Sequence, residues 1–308
     1  MKENTFVLKG DICYSENKDS LVLCPDSYAV CENGVSRGVF RKLPEKYKEF
    51  ICHDYTGCLI MPGFVDLHVH APQYTFRGID MDLELIDWLN THTFPEEAKY
   101  GDLEYANKAY DIFVDDLRRS ATTRACVFAT LHAPATLLLM EKLEAAGLSA
   151  FVGKVNMDRN CPENLCEAGA GKAKAVTEQW LEKCVNFRHV KPILTPRFIP
   201  TCSDEMMSML SELQKKYRIP VQSHLSENVG EIAWVGALCP ETSFYGEAYE
   251  KYGFFGGECP AIMAHCVHSG EAEIELMQKN GVFIAHCPES NANLSSGIAP
   301  VRTYLDRG

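Results

Sequence analysis

From Phe64 onward the chain repeats one texture, a short apolar run followed by a longer stretch with helical spacing. The runs fall at residues 64–69, 123–129, 150–157, 191–195, 220–224, 261–265 and 282–286. Helical periodicity covers 103–117, 135–146, 173–187, 203–217, 228–238 with 246–252, and 272–280. Buried strands that alternate with helices require a parallel sheet, because each strand is reached through a crossover. This many repeats predict an α/β fold, a (β/α) TIM-type barrel with seven of its eight strands present. The first connection, from Ala71 to about Arg119, is longer than a strand return needs, so part of it is expected to cover a site.

The first 60 residues read differently. Short apolar runs at 5–8, 20–24, 28–31, 38–40 and 57–60 are separated by polar and Gly/Pro turns. The pattern is antiparallel β and too small to be a comfortable domain alone. The expected organisation is therefore an N-terminal β-sandwich portion over 1–60 and an incomplete (β/α)8 barrel over 61–308.

At 308 residues, 46% hydrophobic and 23% charged, the chain has the composition of a soluble globular protein. Its net charge of −12 argues against nucleic acid and against anionic membrane, both of which require a basic face. The first residues lack the apolar core of a signal peptide, and no run is long enough to cross a bilayer. The expected compartment is the cytoplasm. The 14 cysteines are scattered and form no C-x-x-C, so they read as reduced, small core residues.

Chemistry concentrates at the strand ends. Pro62-Gly63 is a turn signal, and the strand after it carries His68 and His70. Residues two apart on a strand share a face, at roughly 6.5–7 Å along the backbone, so the two imidazoles make half of a metal site. His224, His265 and His286 end the fifth, sixth and seventh predicted strands. In a barrel all of these ends surround one pocket. Any one of the five reads singly as a core histidine; their joint convergence reads as a metal site. Glu227, three residues after His224, is either a proton carrier or a first-turn helix glutamate with Ser226 as cap. Arg197 and Phe198 follow the fourth strand, as a carbonyl donor and a ring-stacking group or as a surface arginine and a core phenylalanine. Gln73 has the amide donor and acceptor that suit a heterocycle edge, or is an ordinary loop residue.

The tract from Pro62 to His70 resembles the first-strand signature of the amidohydrolase superfamily. His224, His265 and His286-Cys287-Pro288-Glu289-Ser290-Asn291 fit its deaminase and chlorohydrolase branch. Four further tracts are similar to the guanine-deaminase group: His70–Tyr74, Thr93–Glu96, Thr195–Phe198 and Gln222–Asn228. The resemblance implies hydrolytic deamination of guanine to xanthine and ammonia. It implies one zinc ion on His68, His70 and His224, although three histidines suit iron as well. His265 would contact the attacking hydroxide or the tetrahedral intermediate, and Glu227 would carry a proton to the ring nitrogen and then to the leaving amine. Gln73, Arg197 and Phe198 would hold the purine. Thr195 stands where dinuclear members have a bridging lysine, which favours a single metal. The expected partners are a small purine and, at full length, a second copy in a homodimer.

The resemblance has one gap. The family's remaining ligand and proton acceptor is an aspartate after the eighth strand, and the sequence stops before it; Asp306 lies in a helix-end context. A fragment or a truncated product is the expectation, poorly stable and nearly inactive alone. The alternatives are a related amidohydrolase acting on another heterocycle, or a non-catalytic remnant. The cytidine-deaminase architecture is excluded, since H-x-E with P-C-x-x-C is absent.

Overall fold

A computed structural model of the chain describes residues 5–79 and 82–308, in two units that divide between Gly63 and Phe64. In the first unit β1 (Thr5–Asn17), β2 (Ser20–Glu32), β3 (Val35–Phe40) and β4 (Ile51–Ile60) form one sheet in the order β3-β2-β1-β4. The β2–β3 hairpin turns on Asn33-Gly34, both with positive φ, the pair that a type I′ turn requires. The antiparallel expectation needs one correction. β4 runs parallel to β1, with Phe6 opposite Ile51 and Ile12 opposite Ile60. The ten residues between β3 and β4 supply the crossover, and its short 3-10 turn buries Tyr47 with Val7 and Val30.

In the second unit seven strand positions follow one another in sequence order, all parallel. β5 (Phe64–His70), β6 (Thr122–Phe128) and β7 (Ser149–Gly153) are succeeded by the short β8 (Val155–Asn156). β9 (Val190–Pro192) pairs with β7, and β10 (Thr195–Pro196) pairs with β8. The third and fourth strands are thus each broken into two short pieces. A parallel bridge from Leu194 to Val221 leads on to β11 (Val221–Leu225), β12 (Ala261–His265) and β13 (Phe283–Ala285). Among the described residues β5 and β13 share no ladder. A cleft of about 320 Å³ lies between them, lined by Asp66, Leu67, Ala285 and His286 among others.

Before the first full crossover helix the chain makes α1 (Leu85–Trp88), a widened π turn (Leu89–Thr93) and α2 (Phe94–Ala98). α3 (Leu103–Arg119) starts where the Asp102 side chain accepts from Glu104 N at 2.8 Å. It buries Ala106, Ala109, Tyr110, Phe113 and Val114, the i, i+3, i+4 stripe seen in the sequence. α4 (Ala133–Ala145), α5 (Ala170–Cys184), α6 (Asp204–Tyr217), α7 (Val229–Leu238), α8 (Tyr245–Glu250) and α9 (Glu271–Asn280) accompany the later strands. α10 (Pro288–Asn293) and α11 (Val301–Arg307) complete the order. α9 stops at Gly281, whose φ of 67° a side chain would oppose.

The strand interior is small and tight. Cys126, Ile193, Ile262, Ala264 and Ala285 pack there with Leu67. A Cβ on Gly153 would lie 1.7 Å from Thr195 Oγ1, so glycine lets these neighbouring strands approach. Gln222 crosses the same region, donating to Thr195 Oγ1 at 2.9 Å and to Val127 O at 3.1 Å. All fourteen cysteines are free thiols. Five are buried, whereas Cys52 and Cys58 on β4 are exposed, so the core reading holds for only part of the set. Among the described residues no helix is long and apolar enough to cross a membrane.

Candidate active site

Four histidines meet at the C-terminal ends of β5, β11 and β12. The His68 ring centroid lies 4.9 Å from that of His70, 4.9 Å from His224 and 5.2 Å from His265. His70 Nε2 is 3.1 Å from His224 Nε2. Nitrogen atoms of His68, His224 and His265 also lie within 4.8 Å of one another. His286 does not join them. β13 ends at Ala285, and His286 turns to the cleft beside β5, so four of the five expected histidines converge.

Two of the four rings are held as metal ligands are. His224 Nδ1 donates to Arg197 O at 2.6 Å, which leaves its Nε2 lone pair for the centre. His265 Nδ1 donates to Asn291 Oδ1 at 2.8 Å, with the same effect. The Phe128 ring packs against His68, His70 and His224 at centroid distances of 5.0, 4.5 and 4.8 Å. Burial lowers the pKa of all four imidazoles. The neighbouring histidines add to this for His68, His70 and His224; the Arg197 charge adds to it at His68 and His70, whereas at His224 the hydrogen bond to Arg197 O works against it. Neutral imidazoles with free lone pairs are the form that binds a cation. The donor set therefore fits a divalent metal ion, with His70 and His224 spaced as two ligands of one ion.

Glu227 sits at the rim of this cluster, 3% exposed, with Oε2 3.4 Å from His265 Nε2. Burial raises its carboxyl to about 8, against a smaller lowering by Arg197. It is not the first-turn helix glutamate of the alternative reading, and Ser226 is not the cap. Asn228 caps α7 by accepting from Gly230 N at 2.8 Å, and the first-turn glutamate is Glu231. Glu231 Oε2 accepts from Glu227 N at 3.0 Å and its Oε1 from Tyr245 Oη at 2.9 Å. Its carboxyl is raised to about 7, by burial first and by Glu227 second.

The loops here are strained. Ser226, His265 and Cys266 all have φ between 48° and 73°, a left-handed backbone that L-residues avoid. Two backbone bonds lock it, Cys266 N to Leu225 O and His268 N to Ser226 O, both 2.9 Å. Glu273 adds two more, accepting from Ser226 Oγ at 2.8 Å and Gly246 N at 2.7 Å.

A cavity of about 350 Å³ opens over the histidines, and Gln73, Arg197, Phe198 and Glu227 all line it. Gln73 arrives on a 3-10 turn directly after β5. Phe198 meets Trp234 edge to face at 6.1 Å. Arg197 is no surface loop residue; it is 2% exposed and paired with Glu97 at 2.6 Å. The long first connection supplies Leu85, Trp88 and Leu89 as an apolar wall, so it does cover the site. Sequence reasoning missed Phe128, Asn291, Glu97 and Glu231. Phe128 stands one residue before the end of a predicted strand, and Glu231 stands at N3 of a capping box; both were visible signals.

The chain belongs to the amidohydrolase family, whose profile matches residues 59–308. Within that family the similar proteins include several guanine deaminases. It is 36% identical over 327 residues to the guanine deaminase of Dictyostelium discoideum, covering 99% of this chain and 72% of that one. It is 40% identical over 253 residues to a probable guanine deaminase of Schizosaccharomyces pombe, covering 81% of this chain and 48% of the relative. The crystal structure of the C. acetobutylicum guanine deaminase, with guanine bound in its active site, superposes with a TM-score of 0.95 at 47% identity. That match covers 98% of this chain and 72% of the other. The chain thus spans between about half and three quarters of the relatives' lengths.

Proposed function

We propose that the protein deaminates guanine hydrolytically, giving xanthine and ammonia, with one zinc ion held by His68, His70 and His224. The observation that carries this reading is the 3.1 Å approach of His70 Nε2 and His224 Nε2 beneath a cavity that Glu227 and Arg197 share. The relatives that act on guanine support the choice of substrate.

When bound, the ion supplies the Lewis acidity that makes water a nucleophile near neutral pH. The protein does the rest. Arg197 donates to the carbonyl oxygen on C6, and Gln73 offers donor and acceptor to the ring edge. Phe198 and Trp88 bound the ring plane and exclude water. His265, held by Asn291, faces the carbon that changes from trigonal to tetrahedral. Glu227, whose carboxyl burial raises, takes a proton from the incoming water. It passes that proton to the ring nitrogen beside C2, where it stays; the second proton of the water, left on the C2 hydroxyl of the tetrahedral adduct, then passes through Glu227 to the departing amine as the C2 carbonyl forms and ammonia leaves. Fourteen free thiols fit a reducing compartment, so the reading includes the cytoplasm.

The test is conversion of guanine to xanthine by the whole protein, followed by ultraviolet absorbance, with metal assayed on the same sample. The expected result is about one zinc per chain and consumption of guanine in preference to adenine and to triazines. Zinc-loaded protein that turns over another heterocycle and leaves guanine untouched overturns the reading.

A further inference from the structure

One buried side chain of the first connection serves neither metal binding nor proton transfer. Glu97 on α2 is 1% exposed, and its Oε2 accepts from Arg197 Nη1 at 2.6 Å, across 100 residues of chain. The Arg197 guanidinium also lies 5.0 Å over the Phe94 ring, so α2 grips it by charge and by ring face. Arg197 makes no other side-chain hydrogen bond among the described residues, and it lines the cavity. A guanidinium has five donors in a rigid fork. The pair occupies one edge of it and leaves the rest for whatever enters.

The neighbouring Glu96 shows what a structural glutamate looks like at this place. It accepts from Thr75 Oγ1, Lys99 Nζ and Tyr105 Oη, so its carboxylate is saturated. Glu97 Oε1, by contrast, is buried with no hydrogen-bond partner among the described residues. An unsatisfied buried carboxylate oxygen is costly, and a group kept only for stability is normally satisfied.

We propose that Glu97 is a positioning residue for substrate selection. It aims the free edge of Arg197 into the cavity and neutralises its charge, so that the pocket prefers a neutral ring carbonyl. The ligand class is the 6-oxopurine, and the proposal rests on the purine reading above. Without Glu97 the guanidinium has no fixed direction. A base with the carbonyl then loses its advantage over one without it.

The test is binding, which needs no turnover. Hypoxanthine has the carbonyl at C6 and no amine at C2; purine has neither. Dissociation constants for both are measured on wild-type protein, Glu97→Gln, Glu97→Asp, Arg197→Gln and the double variant Glu97→Gln/Arg197→Gln. Wild-type protein is expected to prefer hypoxanthine by about tenfold or more, the scale of one charge-assisted hydrogen bond. Glu97→Gln is expected to bring the ratio close to unity while purine binding changes little, and Glu97→Asp to restore part of it. In the Arg197→Gln background the Glu97 change should add nothing, since it acts through that arginine. The double variant removes both buried charges together and so guards against a fold failure caused by stranding one of them. Equal weakening of both bases in Glu97→Gln, or an unchanged ratio, overturns the proposal. Wild-type protein that binds neither base overturns the purine reading, and this assignment with it.

Discussion

His70 Nε2 and His224 Nε2 stand 3.1 Å apart although 154 residues separate them in the chain. His224 carries its proton on Nδ1, against Arg197 O, so its Nε2 presents a lone pair to the other ring. Two nitrogens on one tetrahedral zinc lie about 3.3 Å apart, from bonds of about 2.0–2.1 Å. A second trio, His68, His224 and His265, is also compact enough to hold an ion. The two arrangements separate cleanly. Metal content should fall from about one ion per chain to near zero in His70→Ala and in His224→Ala, and stay near one in His265→Ala. Loss of metal in His265→Ala with retention in His70→Ala would reverse the assignment.

Glu227 is the proton carrier in the proposed reaction. Glu227→Gln keeps its size and its place beside His265 but cannot cycle a proton. Turnover should drop by about 10²–10⁴-fold with metal content unchanged. A loss below tenfold, measured at saturating guanine, would falsify the role.

Glu231 makes metal-free stability depend on pH. Its carboxyl titrates at 4.5 in the absence of structure and at about 7 when folded. Below the lower value both states hold the proton. Between the two, the folded state keeps a proton that the unfolded state has lost, so stability declines as pH rises and levels off above the folded value. Glu231→Gln removes this contribution. Across the window the wild-type chain should lose about 3 kcal/mol more than the variant, from about 1.36 kcal/mol per pH unit. Urea unfolding of chelator-treated protein at both ends of the window reads the difference, and parallel curves would sink the idea.

Lys154 and Glu167 form a buried pair at 2.8 Å, with side chains 0% and 6% exposed. Glu167 also accepts from Asn156 Nδ2 at 2.8 Å and ties the end of β8 to the loop before α5. Lys154→Met leaves that carboxylate unpaired and should destabilise by about 3–5 kcal/mol. Adding Glu167→Gln should recover much of the loss, because the stranded charge goes with it. Denaturant midpoints of the single and double variants check both statements.

The histidines were legible because two periodicities agreed. His68 and His70 share a face by strand alternation, and His224 and His265 close predicted strands that β11 and β12 bear out within a residue. His286 was misplaced because β13 stops one residue earlier than its apolar run suggests. The parallel pairing of β4 with β1 was hidden, since alternation fixes a face and never a direction. The pairing of Glu97 with Arg197 was hidden for another reason. It spans 100 residues, and nothing local in Phe94-Pro95-Glu96-Glu97 tells which glutamate turns inward. Glu227 was recovered by proximity to His224, and the helix begins after it, at Val229, within a residue of the predicted start at 228.

The π turn at Leu89–Thr93 sets the helical phase of α2. Such a turn holds one residue more than an α-helical turn would. Each residue advances an α-helix by about 100°, so the extra one decides which side of α2 each glutamate occupies. Here Glu96 falls towards Thr75 and Tyr105, and Glu97 towards Arg197. Deleting a single residue from 90–93 would rotate α2 by one step, turning Glu97 to the side that Glu96 now occupies and carrying Glu96 away from Thr75 and Tyr105, while leaving every named side chain of the pocket in the sequence. This short stretch should therefore tolerate substitution far better than a change of length.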